Sequence, residues 1–189
     1  MRRPKFNFAD AIFQNCVTGK EYNSDSSAIP PTYESIINSK STMFMMKERF
    51  KLIPTSHLIL IKDAKILLLR RFNTGYEDGD YSVVAGHLDG NETFIQAMIR
   101  EAKEEAGIDI KPEDLEVVHV MHRKCPNEER IDFFIQSKSW VGEPKIMESH
   151  KCDDLTWFDI NNLPDNVIPY VKQAISCVRN KILYSEYGW

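Results

Sequence analysis

The sequence lacks the features that mark small secreted proteins and membrane-spanning proteins. Its four cysteines are scattered without the dense spacing of a disulfide framework. The longest apolar runs, LILI and ILLL, fall far short of the roughly 20 consecutive apolar residues that cross a bilayer. The N-terminus carries charges but has no long apolar run and no small-residue cleavage site. We therefore expect a reduced, cytoplasmic protein with no membrane partner.

A net positive charge is also lacking. The formal net charge is -4 at pH 7, and a negatively charged surface repels the phosphates of nucleic acids and anionic lipids. The sequence thus predicts no nucleic-acid partner. A free nucleotide is still compatible with this charge, because one local cation can neutralise its phosphates.

The composition changes along the chain. Residues 1 to about 45 are rich in Ser, Pro and Asn and show weak apolar periodicity, so we expect a loosely ordered N-terminal extension. A methionine cluster, Met43, Met45 and Met46, ends this segment. The cluster is compatible with an internal translation start and with an ordinary N-terminal arm packed on the domain. Regular patterning predicts a single domain over residues 46–189.

Strands and helices alternate within that domain. TSHLILIKDAKILLLRRF predicts a hairpin around the turn at residues 62–65, and YSVVAGH predicts a short buried strand. LEVVHVMHRK, ERIDFFIQSKSW and LTWFDI predict three further strands. Apolar residues recur at helical spacing near the end of the chain: Ile168, Val171, Ile175, Val178 and Ile182. Strands flanked by two helices predict an α/β fold, with a mixed sheet covered on both faces.

The stretch GHLDGNETFIQAMIREAKEEAGI, residues 86–108, predicts a helix with an unusual acidic face. Thr93 and Gln96 have the spacing of a capping box, and Gly107 stands where helices commonly end, so we expect a helix from about Phe94 to Ala106. Like charges three or four residues apart destabilise a helix by roughly 0.2–0.5 kcal/mol per pair. Local stability therefore does not account for its three closely spaced acids, Glu101, Glu104 and Glu105.

A divalent cation would compensate this acidic face. Mg²⁺ prefers oxygen ligands, keeps several waters and bridges carboxylates to substrate phosphates. Three carboxylates on one helical face form part of such a shell. Isolated acidic triplets are more often solvated surface, and here Arg100 and Lys103 balance part of the charge, so the metal interpretation depends on the whole segment.

The whole segment resembles the complete Nudix box. The fixed positions are a glycine, a glutamate, an Arg-Glu pair, an apolar residue, a Glu-Glu pair, a glycine and an apolar residue: Gly86, Glu92, Arg100, Glu101, Ala102, Glu104, Glu105, Gly107 and Ile108. The resemblance covers roughly residues 50 to 183. It implies a Nudix-type α/β/α sandwich with a mixed β-sheet between helices. It also implies a pyrophosphohydrolase that cleaves a phosphoanhydride bond in a nucleoside triphosphate or another nucleoside diphosphate-linked substrate.

The resemblance further implies roles for individual residues. Glu101, Glu104 and Glu105, with the backbone carbonyl of Ala85, would bind Mg²⁺ or Mn²⁺, and Glu101 and Glu104 are candidates for activating water. Arg100 would hold a box glutamate, and Gly86, Glu92 and Gly107 would support the box. The general base varies within the family, and in some members a later acid takes this role. Here Glu148 is the first candidate, with Asp153 and Asp154 behind it.

Substrate contacts are less defined. Arg70 and Arg71 end the second hairpin strand, and alternation sends them to opposite faces, so we expect one of them to reach the phosphates. Arg123 and Arg130 are weaker candidates. Aromatic residues are available for base stacking, but each is more typical of core or loop packing: Tyr76, Tyr81, Phe134, Trp157 and Tyr170. The loop LPDNVIPY offers Asp165 and Asn166 but no tryptophan, which argues against oxidised-guanine triphosphates.

Three alternatives remain to be weighed. A zinc site at His119, His122, Cys125, His150 and Cys152 is disfavoured, because His119 and His122 point to opposite faces of a strand. An isopentenyl-diphosphate isomerase-like enzyme would need a catalytic cysteine and a second metal site, which cannot be assembled from the sequence. A non-catalytic Nudix-like nucleotide sensor usually has a broken box, and this box is intact. The resemblance is compatible with a monomer or a homodimer.

Overall fold

The computed structural model describes residues 49–189. The expected extension at residues 1–45 and its methionine cluster lie outside the described residues. The described part contains two α-helices and a short 3₁₀ helix at Pro112–Asp114. The helices are α1 (Phe94–Ala106) and α2 (Pro169–Arg179), and the strands are β1 (Ile53–Ile59), β2 (Ile61–Lys62), β3 (Lys65–Arg71), β4 (Tyr81–Ser82), β5 (Ala85–His87), β6 (Leu115–Lys124), β7 (Glu129–Ser137), β8 (Cys152–Asp159) and β9 (Tyr184–Tyr187).

Within residues 49–189 the strands form two sheets. The larger sheet is mixed and has the order β5-β1-β7-β6-β9, with β1 parallel to β7 and β6 parallel to β9. In the smaller sheet, β3 pairs antiparallel with β2, β4 and β8. Strand β8, from the C-terminal part of the chain, therefore lies beside β3, which carries Arg70 and Arg71.

Alternating side chains of the strands fill two cores on opposite faces. Leu58 and Leu60 join a cluster with Met98 and Ala102 of α1. Ile59, between them, joins a second cluster that contains Val171 and Ile175 of α2. Continuous apolar runs such as LILI are therefore buried on both faces, as expected for strands covered by helices on each side. The predicted α/β/α sandwich is confirmed. Among residues 49–189, no helix is both long and apolar enough to cross a membrane.

Helix α1 begins and ends where the sequence predicts. The Thr93 side chain accepts from the Gln96 N–H, and the Gln96 side chain accepts from the Thr93 N–H, which completes the capping box. Gly107 adopts a left-handed conformation with φ 70° and closes the helix onto Ala102 and Lys103. Both ends of α1 are fixed by local hydrogen bonds, which hold its acidic face in one position.

Replacing Thr93 by alanine is expected to lower the free energy of unfolding by about 1 kcal/mol, because the Gln96 N–H loses its acceptor. Thr93→Ser keeps an acceptor oxygen and serves as the control. Equilibrium denaturation of both variants measures the effect, and equal stability of Thr93→Ala and the parent would contradict it.

Three details of the expected fold are wrong. The hairpin turn is present, with Asp63 and Ala64 at positive φ, but it joins β2 to β3, while β1 pairs with β5 and β7 in the other sheet. YSVVAGH is two strands, β4 and β5, one in each sheet. The final helix stops at Arg179, and the chain continues into β9, which the sequence interpretation missed.

Candidate active site

Arg100 is the centre of the acidic face. Its guanidinium donates to Glu92 (2.9 Å), Glu101 (2.6 Å) and Glu104 (3.2 Å), and to the backbone carbonyl of His87 (3.1 Å). Glu92 in turn accepts from the N–H of Asp89 (2.8 Å). One cation therefore neutralises several acids and fixes the loop that leads into α1.

The strand β5 approaches α1 closely. A Cβ atom at Gly86 would lie 1.8 Å from Glu101 Oε1, so the carboxylate occupies space that any other residue would fill. Glu105 Oε2 accepts from the N–H of Ala85 (3.0 Å). Two of the three box carboxylates are thus held directly against the backbone of Ala85 and Gly86.

The electrostatics of these acids differ. Burial raises the pKa of Glu105 to about 8, although the bond from Ala85 opposes the shift. Burial also raises the pKa of Glu101, against the lowering effect of Arg100. Glu104 is more open, with 53% of its side chain exposed. Burial therefore makes ionisation costly for the two acids nearest β5, a cost that a nearby cation would reduce.

A pocket of about 220 Å³ opens beside Glu105, and we call it the acidic pocket. It is lined by Leu69, Arg71, Thr74, Ala85, His87, Glu105, Glu148, Lys151 and Cys152. Glu148, the predicted distal acid, therefore shares one pocket with Glu105 and Ala85. Its carboxylate accepts from Lys151 Nζ at 3.0 Å, so the acid has a cationic partner at hand.

The two strand-end arginines separate as alternation predicts. Arg71 lines the acidic pocket and donates to the Tyr76 carbonyl (2.7 Å) and the Thr74 hydroxyl (3.0 Å). Arg70 is engaged by Asp153 through two bonds of 2.8 and 3.1 Å. Asp154 accepts from the Tyr81 hydroxyl. Arg70 and both reserve acids are therefore not brought into the pocket that holds Glu105 and Glu148.

The donor chemistry suits a hard divalent cation, but the donors are not assembled around one point. Among residues 49–189, no three Asp, Glu, His or Cys side chains converge closely enough to hold a metal ion. Glu101 and Glu104 are turned toward Arg100 instead. Mg²⁺ and Mn²⁺ take carboxylate and carbonyl oxygens, and these donor types are present at Glu101, Glu104, Glu105 and Ala85.

A second pocket, of about 540 Å³, lies between α2 and the β6–β7 turn, and we call it the aromatic pocket. Tyr76 and Tyr170 line it, while the other predicted stacking candidates lie elsewhere. Phe134 is fully buried in the core, and Trp157 stacks on Trp140. The complete lining is Tyr76, Glu77, Arg123, Lys124, Cys125, Pro126, Asn127, Glu128, Arg130, Ile168, Pro169, Tyr170 and Tyr187.

A buried charged network lies beneath the aromatic pocket. Arg123 donates to Asp132 through Nε (2.6 Å) and Nη2 (3.2 Å), and His57 Nε2 lies 3.4 Å from the same carboxylate. Burial would raise the pKa of Asp132, but interactions with His57 and Arg123 outweigh it and hold this pKa well below its usual range. Asp132 was missed in the sequence, although an acid inside the apolar run IDFFI is a visible signal.

The two pockets are neighbours. Arg130 lines the aromatic pocket and contacts His87 of the acidic pocket at 3.1 Å. Arg71 lines the acidic pocket, and its Cζ lies 5.3 Å from the ring centre of Tyr76, which lines the aromatic pocket. His87 and Lys151 were also missed, because nothing in their sequence neighbourhood distinguishes them from ordinary loop residues.

The residues of the disfavoured zinc site have other contacts. His119 is buried and bonds the Ile182 carbonyl (2.8 Å) and the Ser185 hydroxyl (3.0 Å). His122 bonds Glu129 at 2.9 Å. Cys125 lines the aromatic pocket, whereas Cys152 lines the acidic pocket. These four side chains therefore lie in different places: His119 and His122 on β6, and the two cysteines in the walls of separate pockets.

A family model, the NUDIX domain, matches residues 52–177. The match covers most of the chain and includes the box, α1 and the main strands of the two pockets. The chain therefore belongs to the NUDIX family. The resemblance inferred from residues 86–108 is confirmed.

Individual relatives carry names of pyrophosphate-cleaving enzymes. The NAD-capped RNA hydrolase NudC of Vibrio atlanticus is 29% identical over 132 residues, covering 70% of this chain and 46% of that protein. The ADP-ribose pyrophosphatase of Methanocaldococcus jannaschii is 33% identical over 106 residues, covering 56% of this chain and 61% of that protein. The chain spans less than half the length of that NAD-capped RNA hydrolase.

Solved structures agree on the fold. The MutT NUDIX hydrolase from Burkholderia pseudomallei aligns with a TM-score of 0.62 at 23% identity, covering 67% of this chain and 97% of that one. A bifunctional NMN adenylyltransferase/ADP ribose pyrophosphatase from Francisella tularensis, complexed with AMP and a Mn ion, aligns with a TM-score of 0.55 at 20% identity, covering 71% and 43%. These likenesses show a shared fold.

Proposed function

We propose that the protein is a divalent-metal-dependent pyrophosphohydrolase that cleaves a phosphoanhydride bond in a nucleoside triphosphate or another nucleoside diphosphate-linked substrate. The observation that carries the proposal is the intact acidic face of α1, held against Ala85 and Gly86 at the mouth of a pocket. Membership of the NUDIX family and the names of the relatives support it.

In this proposal Glu101, Glu104, Glu105 and the Ala85 carbonyl hold Mg²⁺, with Mn²⁺ as a substitute. When bound, the ion would supply charge neutralisation on the phosphates and would lower the pKa of an attacking water. The chain's own contribution is positioning: before an ion binds, Arg100 holds Glu101 and Glu104 near the site, and the Ala85 N–H orients Glu105. Because both anchors belong to rigid elements, the carboxylates meet the substrate with little rearrangement of the backbone.

Glu148 is the proposed general base. It lines the acidic pocket with Glu105, and 26% of its side chain is exposed, so it can reach a water in the pocket. Lys151 donates to both oxygens of Glu148 and fixes the orientation of the carboxylate. Glu101 and Glu104 remain the alternatives within the box.

Arg71 is the proposed phosphate ligand at this site. It lies in the wall of the acidic pocket, and its bonds to Thr74 and to the Tyr76 carbonyl fix the guanidinium. Arg70 keeps a structural role with Asp153. Arg130, at the junction with the aromatic pocket, is a second cation for the diphosphate.

The proposal is tested with a panel of nucleoside triphosphates, nucleotide sugars, ADP-ribose, NAD and NAD-capped RNA, each with Mg²⁺ or Mn²⁺. Release of phosphate, pyrophosphate or a nucleoside monophosphate that stops when EDTA is added is expected. The panel must include the capped RNA, because one relative is named an NAD-capped RNA hydrolase. Cleavage of this RNA would contradict the prediction of no nucleic-acid partner. Absence of metal-dependent cleavage across the whole panel would contradict the proposal.

An isomerase-like reaction is tested in the same panel with a prenyl diphosphate. Cys152 does line the acidic pocket, but burial raises the pKa of its thiol, which disfavours the nucleophilic thiolate. A nucleotide sensor would bind without turnover and without a need for metal.

Replacing Gly86 by alanine is expected to lower kcat/KM by about 100-fold, because the new methyl group would occupy the place of the Glu101 carboxylate. Gly90→Ala is the matched control, since a Cβ there meets nothing within 4 Å, although its φ of 81° carries some backbone strain. Steady-state kinetics with the best substrate of the panel measure both. Equal kcat/KM for Gly86→Ala and the parent would show that Glu101 needs no fixed position.

A further inference from the structure

The aromatic pocket combines a polar floor with aromatic and apolar wall residues, and charged side chains line the rest. Tyr76, Tyr170 and Tyr187 supply ring surfaces, and Ile168 and Pro169 close one side. Arg123 forms the floor, with its Cζ 3.9 Å from the ring centre of Tyr170 and only 4% of its side chain exposed. Pockets of this kind fit a flat heterocycle whose edge meets a few fixed polar groups.

The guanidinium of Arg123 is held so that one edge stays available. Nε and Nη2 donate to the two oxygens of Asp132. These two bonds occupy the side edge of the guanidinium. Nη1 has only a weak contact with Cys125 Sγ at 3.5 Å. Since an arginine has five N–H donors, the end edge formed by Nη1 and Nη2 still has hydrogens to donate. Asp132 cannot rotate away without leaving a buried charge, so this edge is fixed.

The hydroxyl of Tyr170 is a second unsatisfied group at the same place. Tyr170 lines the pocket and is 7% exposed. Within the part of the chain that the structure describes, its hydroxyl has no hydrogen-bond partner. The Tyr170 ring contacts the rings of His57 and Tyr187 and the guanidinium of Arg123. Although the residue is mostly buried, the hydroxyl itself keeps some solvent contact, so it is free to hydrogen-bond a ligand in the pocket.

We propose that the aromatic pocket binds a 6-oxopurine base, and that Arg123 and Tyr170 recognise the acceptor edge formed by O6 and N7. The end edge of an arginine matches this pair of acceptors, whereas adenine presents N7 beside an amino group that donates. An arginine has no acceptor for that amino group. The pocket therefore selects guanine or hypoxanthine nucleotides over adenine nucleotides.

This assignment rests on the proposed function and adds its substrate class. The contact of Arg130 with His87 and the stacking of Arg71 on Tyr76 connect the aromatic pocket to the acidic pocket. A base on Arg123 would thus place its phosphates along two arginines toward Glu105. The preference is opposite to the adenine nucleotides in the substrate names of the relatives.

The test changes the substrate and leaves the protein intact. We expect kcat/KM for ITP and GTP to exceed that for ATP by about tenfold or more, because one bidentate arginine contact is lost with adenine. ITP and ATP form the matched pair, since they differ at position 6 of the base. 7-Deaza-GTP, which lacks the N7 acceptor, should fall toward ATP. Equal or better hydrolysis of ATP than of ITP would overturn the proposal.

Binding separates this proposal from the proposed function. If no nucleotide is hydrolysed, the proposed function fails, and calorimetric titration with GDP and ADP still decides the pocket's preference. Tighter binding of GDP by about tenfold supports the assignment, and equal dissociation constants overturn it.

A protein variant tests the role of the hydroxyl. Tyr170→Phe keeps the ring and its packing on Arg123, and should lower the ITP-to-ATP ratio of kcat/KM by about threefold or more. Tyr184→Phe is the control, because Tyr184 is exposed and outside the pocket. An unchanged ratio in Tyr170→Phe would remove Tyr170 from the recognition site. Thermal melting confirms that both variants are folded.

Discussion

Glu105→Gln is expected to lower kcat/KM by about 10²- to 10⁴-fold, because a metal ligand supports several kcal/mol of charge stabilisation in the transition state. Glutamine has the shape of glutamate and can still accept from the Ala85 N–H, but it carries no charge for a metal ion. The free energy of unfolding should stay equal or rise, because the substitution removes a carboxyl group whose pKa burial raises to about 8. A large loss of activity in a protein at least as stable as the parent distinguishes a functional acid from a structural one.

The matched control is Glu113→Gln, which makes the same chemical change on the exposed 3₁₀ helix. Steady-state kinetics and equilibrium denaturation of both variants measure the two effects. A Glu105→Gln enzyme within threefold of the control would mean that this carboxylate does not take part in the reaction. Loss of both activity and stability would assign Glu105 a role in the fold.

Asp132→Asn is expected to lower the free energy of unfolding by about 3–5 kcal/mol, the largest stability effect we predict. The substitution leaves Arg123 charged and buried, with 4% of its side chain exposed and its two bonds to the carboxylate lost or weakened. Denaturant titration measures the change. A loss below about 1 kcal/mol would show that the network relaxes or admits water.

The control for Asp132 is an exposed ion pair. Glu116 accepts from Lys138 at 2.8 Å, and both side chains are more than half exposed. Water and salt screen such a pair, so Glu116→Gln should leave stability nearly unchanged. The contrast between the two variants separates the effect of burial from that of charge.

The same network predicts a dependence of stability on pH. The pKa of Asp132 is lower in the folded protein than in the unfolded chain, so the ionised carboxylate stabilises the fold at pH values above the unfolded pKa, near 3.9. This contribution is lost as the pH falls below about 4 toward the folded pKa. Denaturation midpoints measured from pH 7 to pH 3 should show a smaller acid-induced decrease in Asp132→Asn than in the parent.

Local signals in the sequence were sufficient to predict α1 and the positions of its acidic residues. The capping box, Gly107 and the spacing of the three glutamates depend on residues within one segment, and the helix has the predicted bounds. The separation of Arg70 from Arg71 follows from strand alternation in the same way. These features are predictable because each depends on φ and ψ preferences or periodicity over a few residues.

Features that depend on distant segments were not predictable. β1 lies parallel to β7, more than 70 residues later, and the sequence carries no signal that chooses this partner over the adjacent β3. The aromatic pocket draws its lining from the loop near Tyr76, the β6–β7 turn, α2 and β9. β9 was missed because YSEY is short and half polar, and its pairing with β6 stabilises it.

The contacts of Arg100 have a consequence for the order in which the protein is assembled. Because this guanidinium already neutralises Glu92, Glu101 and Glu104, the acidic helix has a counterion from the moment it forms. The chain can therefore finish folding before any metal arrives. In the proposed function, an incoming ion would have to compete with this guanidinium for Glu101 and Glu104, so Arg100 would weaken the binding of the ion.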